Sequence, residues 1–343
     1  MFRTFAAVML ALVAVTPVFA GGLDAAAVND AAPLAKLPSS DKLDASIVKL
    51  QILLDRAHFS PGEIDGKLGE NAQKALSAFA ETNDLDLGKA ITTDLWNRLA
   101  GLSNGPAIVD YKITEADVKG PFLKKLPAKM EDMKQLQALN YTSPREALAE
   151  KFHMSEQLLQ AVNPGKKFDK VGETIVVANV GQQNSMPIAR VEVDKTRQTL
   201  RAFDTSGKLL AFYPATVGSS EKPTPSGTLK VTAINQNPTY RYNPDYRFKG
   251  VKSKKPFTIK PGPNNPVGST WINLSAEGYG IHGTADPGKI SKSASHGCIR
   301  LTNWDALMLS ANIKKGTPVV FLDRPGEAGT PAQDQQSVKN SRM

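Results

Sequence analysis

The feature that most limits how this chain can fold is a change of hydrophobic period partway along it. Up to Val162 the apolar residues recur at helical spacing: Ile47, Leu50 and Leu54 share one face, Ala72, Leu76 and Phe79 a second, and Leu158, Leu159 and Val162 a third. From Ala189 onward they alternate instead. Ala189, Val191 and Val193 are separated by polar residues, and residues 209–213 return as a second strand after the turn Asp204-Thr205-Ser206-Gly207. The chain has 343 residues, and at about 150 residues per domain it divides into two or three units. The expectation is a multidomain α+β protein with small helical front modules and a predominantly β domain after them. A hydrophobic fraction of 41% with 22% charged residues excludes a disordered or fibrous chain. With one cysteine, Cys298, no intrachain disulfide can form, so the cores must supply stability.

The ends read differently from the middle. Residues 1–20 carry Arg3, an apolar run over 5–15 and Ala20 at a cleavage position, which reads as a signal peptide; the run is too short to span a bilayer. Residues 21–40 read as a flexible leader and 325–343 as a disordered tail. No later segment is apolar enough to cross a membrane, so none is expected once the signal is removed. The formal net charge is +9, and loss of Arg3 lowers it by one. Such a charge favours an anionic partner, and export argues against nucleic acid, leaving wall polymer or head groups.

Three units lie between the ends. Residues 41–102 contain two helical stripes split by Phe59-Ser60-Pro61-Gly62, Asp65-Gly66 and Gly69, then a third helix near 93–99. The aromatic-x-P-G-x-x-D-G-x-x-G loop resembles that of the three-helix peptidoglycan-binding domain, although turn geometry alone accounts for every residue in it. Residues 111–180 contain a first strand at 111–114, two helices and a strand at 174–177, with Asn163-Pro164-Gly165 between the second helix and that strand. This resembles a LysM module, a β-α-α-β fold that binds wall glycan, with about 27 extra residues before its first helix. His58 and His153 read as surface residues rather than ligands. Residues 187–323 form the β-rich unit, with one clear helix at 303–311.

Chemistry concentrates in Gly278-Tyr279-Gly280-Ile281-His282-Gly283-Thr284 and Ser295-His296-Gly297-Cys298-Ile299-Arg300. An unperturbed thiol is only about 3% thiolate at neutral pH, so a nucleophilic cysteine needs a nearby base or cation. Lowering its pKa by two units takes about 2.7 kcal/mol of preferential thiolate stabilisation, within reach of a partly buried histidine pair. Gly297 lets successive amides point at one oxyanion, and Arg300 is placed to hold a carboxylate. One Cys and two His leave a four-ligand zinc set incomplete, so neither metal nor cofactor is expected.

His-Gly-Thr and Ser-His-Gly-Cys-Ile-Arg, with His282 and His296 fourteen residues apart, resemble the L,D-transpeptidase (YkuD-like) family, as do Thr224-Pro225-Ser226-Gly227-Thr228 and the stretch 261–268. The resemblance covers 187–323. It implies Cys298 as nucleophile, His282 as general base and the Gly283 carbonyl as its orienter. It also implies an oxyanion hole from Gly297 and Cys298 with His296, and a donor site shaped by Arg300, Tyr279 and Ser295. The implied reaction is acyl transfer from a peptidoglycan tetrapeptide stem through a cysteine thioester to an amine, a 3-3 cross-link, in the periplasm or wall, and a carbapenem should acylate the same thiol. Water as acceptor would make an L,D-carboxypeptidase, and a lysine of a wall protein an anchoring enzyme. A papain-like peptidase is disfavoured because His282 precedes Cys298, and a non-catalytic wall-binding scaffold because Cys298, His282 and Arg300 occur together. Residues 237–260, with several aromatics and cations, are expected to form a loop over the site.

Overall fold

The computed structural model describes residues 23–39, 41–88, 90–181, 185–218, 223–246, 251–293, 295 and 297–323. The expected signal peptide, the expected tail and His296 lie outside the described residues. No helix among the described residues is long and apolar enough to cross a membrane.

The front of the chain forms α1 (Ala25–Asn29), α2 (Ala45–Arg56), α3 (Glu70–Thr82) and α4 (Thr93–Gly101). Asp44 caps α2 by accepting from the Ser46 amide, and Ile47, Leu50 and Leu54 are fully buried along the predicted face. The expected flexible leader is corrected over its described part: α1 folds against α2, and Val28 is fully buried. Three small or apolar residues followed by Val28 are enough to seat one helical turn once α2 offers a surface.

The second region comprises β1 (Ile108–Lys112), α5 (Glu115–Val118), α6 (Met130–Met133), α7 (Pro144–Lys151), α8 (Glu156–Ala161) and β2 (Thr174–Ala178), with β1 and β2 antiparallel. The first strand starts three residues before the expected Tyr111 and stops at Lys112. Thr114 is taken as the N-cap of α5, in a capping box with Asp117. Asn163 ties α8 to β2, donating to the carbonyls of Leu159 and Val176 and accepting from the Val176 amide. That triple use accounts for an asparagine before the Pro-Gly turn. One apolar cluster joins Val28, Val48, Ile52 and Ile64 to Leu148, Leu158, Ile175 and Val177, so the first two regions share a core.

The third region is mainly β: β3 (Arg190–Asp194), β4 (Thr199–Phe203), β5 (Leu209–Pro214), β6 (Gly227–Gln236), β7 (Tyr240–Tyr242), β8 (Phe257–Ile259), β9 (Thr270–Leu274), β10 (Gly280–His282), β11 (Ile299–Arg300), α9 (Asn303–Asn312) and β12 (Pro318–Leu322). Eight strands make one mixed sheet in the order β11-β10-β9-β6-β12-β3-β4-β5, and β7 pairs with β8 as a separate ribbon. The chain leaving β5 bonds back to β11, where the Thr216 and Arg300 backbones exchange two 2.9 Å hydrogen bonds. The two ends of the strand order are thereby brought together and the sheet curls around its core.

The loop 59–69 covers the β5 edge: the Ser60 amide donates to Phe212 O and the Phe212 amide to His58 O, both at 2.9 Å. Two histidines expected on the surface are corrected. His58 has φ +65 and is half-buried, with its pKa lowered by that burial. His153 ends α7 with φ +55, which turns its ring into the junction of all three regions, 3.1 Å from Asp55 Oδ2 and stacked on Trp304 at 5.0 Å.

That junction titrates. Burial, then the Asp55 charge, pushes Asp305 up to about 7, and burial pushes Glu150 up to about 7. Burial is the largest single influence on His153 and opposes its protonation, but the Asp55 charge and hydrogen bond, with the Asp305 and Glu150 charges, together outweigh it and raise the pKa. In all three the folded state holds a proton that the unfolded chain has released. For the two carboxyls this contribution is greatest below the unfolded carboxyl range and is lost as pH rises through about 7, and for His153 it is lost as pH rises through its raised folded pKa. Asp305→Asn is expected to flatten the decline of melting temperature between pH 5 and 8 in scanning calorimetry; an unchanged slope would clear Asp305 of that role.

Candidate active site

The site is built where β10 and β11 run parallel, with Ile281 opposite Ile299 and His282 opposite Arg300. Side chains alternate across a strand, so Ile281 and Ile299 both enter the core and are fully buried. His282 and Arg300 take the other face, as does Cys298 two residues before Arg300. All three line one cleft of about 720 Å3. The fold thus brings Cys298 and His282 to the same cleft, although sixteen positions separate them.

Cys298 is half-buried, and its Sγ lies 3.7 Å from Gly278 O. Gly297 has φ +96, a backbone conformation that suits glycine and turns the chain sharply into the cysteine. The Ser295 hydroxyl donates to Cys298 O and its amide to Val217 O at 2.8 Å, so it fixes the loop that carries the thiol. Arg300 also lines the cleft, and among the described residues its buried Nε has no hydrogen-bond partner. A buried unmatched donor beside a thiol is suited to a negative charge. Tyr279 is half-buried and lies between the turn at Gly278, which lines the cleft, and the first residue of β10.

His282 is 4% exposed, and its Nδ1 lies 2.6 Å from Gly283 O. A carbonyl only accepts, so Nδ1 carries the proton and Nε2 is left as the basic nitrogen. Burial first, then the Arg300 charge, lowers the imidazole pKa to about 3, against a smaller raising effect of the Gly283 bond. The ring is neutral at physiological pH and can accept a proton. Gly283 has no alternative side chain: a Cβ there would sit 2.1 Å from Asn303 Oδ1, the atom that holds the Ser269 amide.

Trp271 was not singled out by sequence reasoning. It pairs with His282 across β9 and β10, and its indole stacks on the imidazole at 5.3 Å and 18°. Trp271 Nε1 donates to Asn273 Oδ1 at 2.7 Å, which fixes the ring plane. A Cβ on Gly280 would lie 2.6 Å from that indole, so the glycine makes room for it. Only the strand register reveals this, because Trp271 is eleven residues from His282. Gly280→Ala is expected to displace the indole and slow acylation of Cys298 by about tenfold to a hundredfold, read by stopped-flow mixing with a carbapenem. A rate within twofold of wild type would refute the steric argument.

Among the described residues no group of three or more His, Cys, Asp or Glu could hold a metal ion. Fold and site together define a class: a β-sheet enzyme whose open cleft carries one thiol beside a buried neutral imidazole. Residues 188–321 match the L,D-transpeptidase catalytic domain, YkuD. A Bacillus licheniformis protein named as an L,D-transpeptidase, YkuD, is 31% identical over 176 residues, covering 51% of this chain and 90% of that protein. Escherichia coli YbiS, also named as an L,D-transpeptidase, is 30% identical over 198 residues, covering 55% of this chain and 63% of YbiS. The solved L,D-transpeptidase 3 of Mycobacterium tuberculosis is 17% identical, with a TM-score of 0.33 over 45% of this chain and 67% of that one. The chain therefore spans about two thirds of the length of YbiS and of that solved chain. The chain belongs to the L,D-transpeptidase family.

Proposed function

We propose that this chain is a peptidoglycan L,D-transpeptidase that works by two-step acyl transfer on Cys298. The observation that carries the reading is the His282 imidazole, held with Nδ1–H on Gly283 O and Nε2 unprotonated in the cleft that holds the thiol. The sulfur attacks the carbonyl of the third residue of a tetrapeptide stem while the thiol proton passes to Nε2. Collapse of the tetrahedral intermediate breaks the peptide bond, and the leaving amine of the terminal D-Ala takes that proton. A thioester remains on Cys298. The side-chain amine of a second stem then attacks it, gives up a proton to Nε2 and leaves with the acyl group as a 3-3 cross-link, regenerating the thiol.

The low imidazole pKa argues for proton transfer concerted with attack rather than a resting thiolate–imidazolium pair. The amides of Gly297 and Cys298 are assigned to the oxyanion, and Arg300 to charge on sulfur or on a donor carboxylate. His296, the third oxyanion candidate, lies outside the described residues. Tyr279 and Ser295 are assigned with Arg300 to the donor site, as the motif resemblance implies. The front unit 41–102 is assigned a buttressing role, because its loop is committed to the β5 edge.

Incubation of the protein with tetrapeptide muropeptides, followed by mass spectrometry, tests the reading. A cross-linked dimer with loss of D-Ala is expected. Tripeptide alone would assign water as the acceptor, and no product dependent on Cys298 would end the proposal.

A further inference from the structure

The segment 119–143 between α5 and α7 is far longer than a compact connection needs, and the β-α-α-β unit that contains it has no use for it. It crosses to the catalytic region and is fastened there along its length. Glu131 Oε1 accepts from the amides of Lys252 at 2.6 Å and Ser253 at 3.2 Å. Lys134 Nζ sits 5.7 Å over the Phe257 ring. The Leu139 amide donates to Pro261 O, and Leu139 O accepts from the Asn264 amide, both at 2.8 Å. Gly262 has φ +142, and a Cβ on it would lie 2.3 Å from Leu139 O, so the two backbones meet where only glycine fits. Every one of these anchors lies on the run that carries β8 and leads to β9. Met130, at the head of α6, lines the same cleft as Cys298, together with Arg241 and Val251.

The charge of this wall is predominantly positive, with Glu131, Asp132 and Asp245 as its acidic residues. Lys124, Lys125, Lys129 and Lys134 of the segment, Lys252, Lys254, Lys255 and Lys260 of the ribbon flank, and Arg241 are all exposed. The segment 119–143 contributes two acidic residues, Glu131 and Asp132, and Glu131 is committed to ribbon amides. Among the described residues lining the cleft there is no carboxylate, while Arg241 and Arg300 bring guanidinium groups. A cleft lined by two arginines and flanked by exposed lysines concentrates anionic ligands and disfavours cationic ones.

We infer that the segment 119–143 and the β7–β8 ribbon form one substrate-recognition wall of the active site, which selects an acyl donor that carries free carboxylates. The substrate class rests on the acyl-transfer reading above; the wall itself does not. The segment fixes the ribbon over the cleft, Met130 supplies an apolar contact beside the thiol, and the lysines read the donor's negative charge.

The test uses the full chain. Glu131→Ala is expected to speed hydrogen exchange across residues 251–260 at least tenfold; unchanged protection would show that the segment does not hold the ribbon. The triple variant Lys252→Gln, Lys254→Gln, Lys255→Gln is read with two alkylating agents of nearly equal size, iodoacetate and iodoacetamide, acting on Cys298. The ratio of their rates should fall at least threefold at low salt and approach the wild-type ratio measured at 0.5 M salt; an unchanged ratio overturns the charge selection. For tetrapeptide donors the same variant should raise KM at least threefold with kcat within twofold, and an equal fall in both kcat and kcat/KM would also count against it. If wild type turns over no stem peptide, the proposed activity fails, while exchange and the alkylation ratio still decide the wall.

Discussion

Cys298→Ala is expected to abolish stoichiometric carbapenem acylation in intact-protein mass spectra and to lower stem-peptide turnover by at least about 10^3-fold. The chain has no other cysteine, so no second thiol can take over. The substitution removes a half-buried side chain at the mouth of a cleft and leaves the Ser295 bond to the backbone carbonyl of residue 298 in place. The fold should survive, and a melting temperature near wild type would separate lost chemistry from lost structure. A carbapenem adduct persisting on the alanine variant would place the nucleophile elsewhere.

His282→Gln is expected to slow acylation of Cys298 by about 10^2- to 10^4-fold, the range for removal of a positioned general base. The pH dependence carries more information than the magnitude. With its imidazole pKa near 3, His282 stays an available proton acceptor far below the ordinary histidine range. The wild-type acylation rate should therefore show no inflection near pH 6.5. A clear acid limb centred there would mean that the ring is solvated and more basic than its burial implies. Stability moves with the same group. The unfolded chain binds a proton near pH 6.5 and the folded chain does not until about pH 3, so this contribution is lost as pH falls through that window. Asp305 and Glu150 at the three-region junction respond in the opposite sense, losing stability as pH rises through about 7. Asp305→Asn and His282→Gln should accordingly flatten opposite limbs of the stability–pH curve.

The lysine-rich wall bears on the acceptor as well as the donor. In the proposed second step an amine acceptor would approach the thioester as the neutral base, and the exposed lysines flanking the cleft would discourage its ammonium form from settling there. Turnover with an amine acceptor should therefore rise with pH more steeply than acylation does.

Local order in the sequence determined a good deal. Helical spacing placed α2, α3, α7, α8 and α9, and alternation placed β3 and β5, because each periodicity follows from how side chains leave a single element. The motif around Cys298 was legible for a related reason: Ser295, His296, Gly297, Cys298 and Arg300 fall within six consecutive positions. The errors share a cause. His153 was taken for a surface residue because its neighbours belong to a helix, yet the residue ends that helix in a left-handed turn and meets Asp55 and Trp304 from two other regions. Trp271 was passed over, and it stacks on the base.

By itself, then, the amino-acid order determined which segments become helix or strand and which side chain carries the reactive sulfur, since these are properties of neighbours along the backbone. Only the tertiary structure decided what surrounds that sulfur. The register of β9 on β10, the curling that joins the chain after β5 to β11, and the crossing of 119–143 onto the ribbon each bring together residues distant in the chain. Such contacts are fixed by core packing and closed hydrogen-bond ladders, which no local window of sequence contains.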